Sequence, residues 1–330
     1  MLKKSWLLGA FLFTSLSCFG SVGHCAPASS GAAQLHYETL VTDGLIRAGG
    51  AKLPSGEPIV SSPITSILIY GDKDALLVDP PMSIGQTAQV IDWIEHSGKH
   101  LKFIYSTHGH GDHWAGTKQI IDRFPDAVPY ATADTIVQMQ KQATPGFRAI
   151  IERSFPGQLG DTPLLARPIP AGGLDLEGNS IIPVDVGHSD TDATTVLYVP
   201  SMRLVAAGDV VYNGVHQYLL EGGNGGLDAW LRALDKVAAL NPQIVIAGHK
   251  NRTLPDDPKT IDETRHYLID AKRLLAAKPT PENYYQSMLK LYPERLNPGP
   301  LWYSGLALLG GANLLVQPST NAPQYSTPGK

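Results

Sequence analysis

The sequence predicts an α+β fold in which two β-sheets pack face to face with helices outside. Two observations predict it. Short apolar, β-rich runs fall into an early group and a late group, and segments with helical spacing lie between and after them. No period of 20–50 residues repeats along the chain, which argues against a solenoid. With 330 residues, 43% of them hydrophobic, the chain is long enough for one large domain or two small ones. Its 33 glycines and 26 prolines point to many turns and loops rather than long coiled helices.

The elements follow in order. Residues 1–26 have Lys3 and Lys4, an apolar run from Trp6 to about Leu16, then small and polar residues, the layout of a secretory signal cleaved near Ala26. The run is too short to span a bilayer, so no membrane span is expected in the mature chain, which would be periplasmic or secreted. An alternative makes Cys18 a lipidated residue, although "SLSC" lacks the usual Leu three positions before it. Residues 27–59 read as a polar, Gly/Pro-rich lead-in that can partly order as a strand.

"ITSILIYGDKDALLVDP" predicts a hairpin, its two β-rich runs flanking Gly71-Asp72-Lys73-Asp74. Residues 84–97 predict a helix with Ile84, Ala88, Ile91 and Ile94 on one face. "LKFIYSTH" is a strand, "WAGTKQIIDRF" a helix and "AVPYAT" a short strand. Residues 133–170 suggest some helix and then a Pro-rich loop. Strands return in the hairpin "GLDLEGNSIIPVDVGH", then in "ATTVLYVP", "MRLVAAGDVVY" and "QIVIAGH", with a helix over 227–240 before the last. Helices over 258–276 and 281–291 follow, and the apolar, glycine-broken tail "LWYSGLALLGGANLLV" reads as a packed helix or a flap near the site. The organisation expected is a principal domain over 60–276 and a helical extension and tail over 277–330.

Charge and cysteines narrow the function. The formal net charge of -4 and the absence of a basic stripe give no reason to expect a nucleic-acid partner. Both cysteines, Cys18 and Cys25, lie in the segment expected to be removed. A mature chain without thiols has no disulfide and no cysteine nucleophile, so a metal site in it must use histidines and carboxylates.

Such a site is written into "STHGHGDHWAG", Ser106 to Gly116. His108 and His110 are two apart at a strand end and can face one point; Asp112 and His113 follow where the chain turns into a helix and can face a second. A lone histidine is by default a surface or hydrogen-bonded core residue, but H-x-H-x-D-H is a poor fit to chance. Three further candidates sit directly after an apolar run and a glycine: His188, Asp209 and His249. The repeated placement implies that four strand ends share one edge of the sandwich.

On these residues the chain resembles the metallo-β-lactamase superfamily, over roughly residues 60–255. The resemblance implies a four-layer αββα sandwich with two zinc ions per chain at one edge. His108, His110 and His188 would hold one zinc, Asp112, His113 and His249 the other, and Asp209 would bridge them. Asp79 matches an acidic position that orients a ligand histidine through its other ring nitrogen, a turn residue before two prolines being the alternative. The family's chemistry is hydrolysis by a metal-bridging hydroxide, with Asp112 orienting the nucleophile and passing on a proton.

The resemblance says less about the substrate. A bridging Asp209 is typical of the lactonase, glyoxalase II and phosphodiesterase branches, whereas β-lactamases usually have Cys or Ser there. Tyr212, three residues on, resembles a lactonase tyrosine that donates to the substrate; a packed aromatic explains it equally well. His216, Tyr218 and Asn224 are pocket candidates or plain loop residues. After His188 the chain reads "SDTDATT" where those branches usually have a Thr-Pro-Gly run. The leading expectation is a zinc hydrolase acting on an ester or lactone, a small-molecule substrate. The alternatives are a periplasmic β-lactamase and an iron-dependent oxidoreductase on the same scaffold.

Overall fold

The computed structural model describes residues 31–160 and 163–310. The signal segment and Cys18 lie outside the described residues. Among the described residues, eleven strands form two sheets. The first contains β1 (His36–Thr42), β2 (Ile64–Tyr70), β3 (Asp74–Val78), β4 (His100–Tyr105), β5 (Val128–Ala131) and β6 (Arg167–Pro168), in that spatial order. The second contains β7 (Leu174–Leu176), β8 (Asn179–Gly187), β9 (Thr194–Val199), β10 (Leu204–Asn213) and β11 (Ile244–Lys250), also side by side in chain order.

The two-residue alternation of the strands builds the layers. In β2 and β3, Ile67, Ile69, Leu76 and Val78 point inward and meet Leu204, Ala206 and Ile246 of the second sheet. Their neighbours Leu68, Ala75 and Leu77 point outward onto α1 (Ile84–Ser97) and α2 (Thr117–Arg123). Likewise Val205, Ala207, Val245 and Ala247 leave the other face of the second sheet. They are covered by α5 (Gly226–Ala239), α6 (Thr260–Ala276), α7 (Pro281–Leu291) and α8 (Gly299–Leu308). The result is helix, sheet, sheet, helix. α3 (Ala133–Gln142) and α4 (Pro145–Ser154) lie between β5 and β6 in the chain. No helix among the described residues is long and apolar enough to cross a membrane.

One detail of α1 differs from expectation. α1 begins where the spacing predicts, capped by Ser83, whose hydroxyl accepts from the Gln86 N–H. Its buried face is Gln86, Thr87, Val90 and Ile94, while Ile84, in the first turn, is 43% exposed. The lead-in is part of the body: β1 pairs with β2 along its whole length, and bridges Ile46–Val60 and Lys52–Pro58 fold residues 44–61 back on themselves. The C-terminal helices are also part of it, since Tyr284, Met288 and Leu301 are fully buried in the layer outside the second sheet. Apolar stripes on α7 and α8 have nowhere else to go.

Candidate metal centre

Four chain segments converge at one edge of the two sheets. β4 ends at Tyr105 and runs into Ser106-Thr107-His108, and a short 3₁₀ turn, Gly111–His113, carries Asp112 and His113. From the second sheet come the turn after β8, with His188 and Asp190, and the strands β10 and β11, with Asp209 and His249. Asp209 and His249 lie inside their strands rather than beyond them. The register between β10 and β11 shifts on either side of Gly208, and that irregularity turns Asp209 toward the site. The glycines before them are required. Gly208 has φ +49° and a Cβ there would lie 2.4 Å from Thr107 Oγ1; one on Gly248 would lie 2.5 Å from Asp209 Oδ1.

The histidines are oriented by acceptors behind them. Asp79, itself in the left-handed region at φ 55°, accepts from the Thr107 N–H on Oδ1 (2.8 Å) and from the Thr107 hydroxyl on Oδ2 (2.8 Å). The same Oδ2 accepts from His113 Nδ1 at 3.0 Å. The Thr107 hydroxyl, its proton given to Asp79, accepts from His108 Nδ1 at 3.0 Å. His249 Nδ1 donates to the Pro63 carbonyl at 2.6 Å, and His110 Nε2 donates to Glu221 Oε1 at 3.0 Å. A carbonyl or carboxylate can only accept, so each contact fixes the tautomer. The nitrogens left for the site are His108 Nε2, His110 Nδ1, His113 Nε2 and His249 Nε2.

These atoms form two groups, each with its ligand atoms within 4.8 Å of one another: His108, His110, Asp190 and Asp209, and Asp112, His113 and His249. Asp190 Oδ2 is 2.7 Å from His110 Nδ1 and 3.5 Å from His108 Nε2. Asp209 places Oδ1 3.2 Å from His113 Nε2 and Oδ2 2.9 Å from His249 Nε2. Ligands on a tetrahedral shell with bonds near 2.1 Å stand about 3.4 Å apart, so the separations suit a common ion. Close as they are, His108 Nε2, His113 Nε2, Asp190 Oδ2 and Asp209 Oδ1 are buried with no hydrogen-bond partner. They aim at shared points rather than at each other. The charge balance agrees: Asp190 and Asp209 are 0% and 2% exposed, and no Lys or Arg pairs with either among the described residues. Buried carboxylates need such a counter-charge. The residues present therefore fit metal ions.

Electrostatics follow the geometry. Burial works against a charge on His110 and His113, yet Asp190 beside the first and Asp209 and Asp79 beside the second hold both well above the usual histidine range. Burial would push the Asp209 carboxyl up, but His249 and His113 hold it well below the usual carboxylate range. For Tyr212, burial and then the Asp209 charge push the phenol well above its ordinary value, so it stays a proton donor.

The expected residues divide into those brought together and those that are not. His108, His110, Asp112, His113, Asp209 and His249 meet, and Asp79 stands behind His113 as expected. His188 belongs to neither group. Its Nδ1 lies 2.7 Å from Asp192 Oδ1, and its Nε2, also buried without a hydrogen-bond partner, faces Gly226, where a Cβ would come within 2.7 Å. Asp190 occupies the third place beside His108 and His110, held through Oδ1 by the Ser189 hydroxyl at 2.8 Å. Tyr212 is fully buried and donates to Asp209 Oδ2 at 2.7 Å, with its ring between His249 and Trp230. It therefore supports a carboxylate and does not line the cavity. His216 is buried against Tyr267, its pKa lowered to about 3 by burial and by Arg295. Asn224 is a turn residue with φ 51°; Tyr218 does line the cavity, its ring 5.4 Å from that of His110. Glu221, not anticipated, joins His110 to the Thr191 hydroxyl, which donates to Oε2 at 2.7 Å.

Two packed sheets with helices outside, and a histidine–aspartate cluster at one edge, define the class, and comparison with known proteins agrees. The family model described as the metallo-beta-lactamase superfamily matches residues 61–249, and the chain belongs to that family. A metallo-beta-lactamase family protein from Thermus thermophilus superposes with a TM-score of 0.55 at 18% identity, covering 84% of this chain and 94% of that one. A metallo-beta-lactamase from Pontibacter korlensis gives 0.51 at 16% identity, covering 71% and 99%. At these identities the likeness is one of fold. Among curated proteins, hydroxyacylglutathione hydrolases of Francisella philomiragia and Parasynechococcus marenigrum are 38% and 34% identical over 68 and 74 residues. Those matches cover 20% and 22% of this chain and 25% and 28% of the relatives, so they span about a quarter of the proteins matched.

Proposed function

We propose that the protein is a zinc-dependent hydrolase of an ester or lactone, working outside the cytoplasm. The observation that supports it most is the pairing of the two ligand groups, joined by Asp209, at the floor of a cavity of about 380 Å³. One zinc would be held by His108, His110 and Asp190, the other by Asp112, His113 and His249, with Asp209 between them. An all-nitrogen-and-oxygen ligand set of this kind suits zinc. When bound, such a pair supplies an activated water at neutral pH and Lewis acidity for the oxygen that gains charge. The chain's own groups do the rest. Asp112, 35% exposed and lining the cavity, accepts the proton of the attacking water and passes it to the leaving oxygen. The buried acceptors behind the histidines hold the rings against rotation. The location rests on the signal-like segment at residues 1–26.

The test is elemental analysis of the purified protein beside turnover of an aryl ester, a homoserine lactone, a chromogenic cephalosporin and a phosphodiester. About two zinc ions per chain with ester or lactone turnover is the expected result. Fast cephalosporin turnover with little else would move the protein to the β-lactamases. One iron and no hydrolysis would overturn the reading.

A further inference from the structure

The cavity above the metal centre is lopsided in its chemistry. One wall is α4 with the residue after it. Phe147, Ile150, Ile151 and Phe155 line the cavity at spacings of three, four and eight, which places them on one helix face. None of the four belongs to a buried core cluster, and Ile150 is 48% exposed. An amphipathic helix normally spends its apolar face on the core. Here that face is turned to the cavity. Tyr218 and Tyr303 line the same cavity.

The folded-back segment 44–61 supplies the other unusual group. Arg47 lines the same cavity, near enough to Tyr303 to pull that phenol's pKa down against the stronger effect of its burial. Its backbone is fixed, the N–H donating to the Ile59 carbonyl at 2.8 Å, and the next residue's N–H donates to Ser154 at the end of α4. The side chain is half-buried and has no ion pair among the described residues. The acids that line the cavity, Asp112 and Asp209, belong to the metal centre. A guanidinium in a largely apolar pocket without a carboxylate of its own is a receptor for one.

From this we infer that the substrate is an amphiphilic acyl compound: an apolar arm that packs on the Phe147–Phe155 face and a free carboxylate that pairs with Arg47. The inference rests on the hydrolase reading above and adds the two recognition elements to it. Arg47 and Phe147 are specificity residues, and neither handles a proton in the reaction.

The zinc-loaded protein is assayed with 4-nitrophenyl acetate, 4-nitrophenyl hexanoate, and 4-nitrophenyl monoesters of glutaric, adipic and suberic acids. Hexanoate should exceed acetate in kcat/KM by about tenfold or more, since each buried methylene favours binding. At least one monoester should exceed hexanoate. In Arg47→Ala the monoester-to-hexanoate ratio should fall about tenfold, and Arg47→Lys should restore part of it. In Phe147→Ala the hexanoate-to-acetate ratio should fall instead. A monoester ratio unchanged in Arg47→Ala, with turnover intact, overturns the carboxylate site and leaves the hydrolase reading standing. Calorimetric binding of octanoate and octan-1-ol reads the pocket without turnover. A preference for octanoate that disappears in Arg47→Ala, in a protein that hydrolyses no ester, keeps the pocket and overturns the hydrolase reading.

Discussion

The two halves of the metal centre are built differently. The half formed by Asp112, His113 and His249 takes its orientation from the sheets themselves. Asp79 sits at the end of β3, Pro63 immediately before β2, and Tyr212 within β10. In the half formed by His108, His110 and Asp190, His108 shares Asp79 through the Thr107 hydroxyl, but His110 and Asp190 lean on loops, with Glu221 and Ser189 as their supports. Strand ends packed between two sheets have one position, whereas a loop can re-aim a side chain by shifting a residue or two. The difference therefore predicts where a family site can change its ligands without changing its fold.

Exchange of ligand at the loop-held half should produce the largest effect. Asp190→Ala should lose about one metal ion per chain and cost kcat/KM at least about a hundredfold, roughly 2.7 kcal/mol of barrier. His188→Ala should keep both ions, since its ring lies outside both ligand groups. Metal content by mass spectrometry separates the two. If His188→Ala loses the ion and Asp190→Ala retains it, the loop closes differently around bound metal, and the comparison between the halves breaks.

The same division explains what could be read from the sequence. The sheets, the outer helices and six residues of the cluster were readable because strand alternation and the H-x-H-x-D-H spacing are local patterns. The run "SDTDATT" was visible as a departure, but its consequence was not. Whether His188 or Asp190 reaches the site depends on how the turn between β8 and β9 is wound, and Gly187, at φ 88°, and Ala193, at φ 56°, set that winding. Backbone reversals of this kind leave no periodic trace. Glu221 was hidden for a similar reason, since it meets His110 across 111 positions of chain. Helical spacing misjudged α1 because Ile84 satisfies the pattern yet lies at the exposed start of the helix. α4 was unreadable for another reason: its apolar face serves a cavity, and periodicity does not distinguish a cavity from a core.

An intermediate effect is expected at the strand-held half. Asp79→Asn keeps the shape and tolerates the left-handed backbone. It replaces one carboxylate oxygen by an amide that cannot accept from Thr107 and His113 as the acid does. Metal affinity should fall about 10- to 100-fold, first at the His113 half and less at His108, which Asp79 reaches through the Thr107 hydroxyl. Equilibrium competition with a chromogenic chelator measures it. Unchanged affinity would mean that packing alone holds the rings.

Tyr212→Phe should have the smallest effect, and it sharpens the comparison most. The phenol donates to Asp209 Oδ2, the carboxylate that faces both halves. A hydrogen bond to a charged acceptor contributes about 1.5–3 kcal/mol when the acceptor has nothing else. A bound ion would take up much of that charge, so the loss in metal affinity should stay within about tenfold. Activity measured at limiting zinc should drop in step with occupancy and recover when zinc is added in excess. A tyrosine that touches the substrate would behave otherwise, its kcat remaining low at saturating metal while affinity for the metal did not move. That second pattern would place Tyr212 in the reaction itself. It would also require the buried ring to leave the space between His249 and Trp230, where it now packs against both.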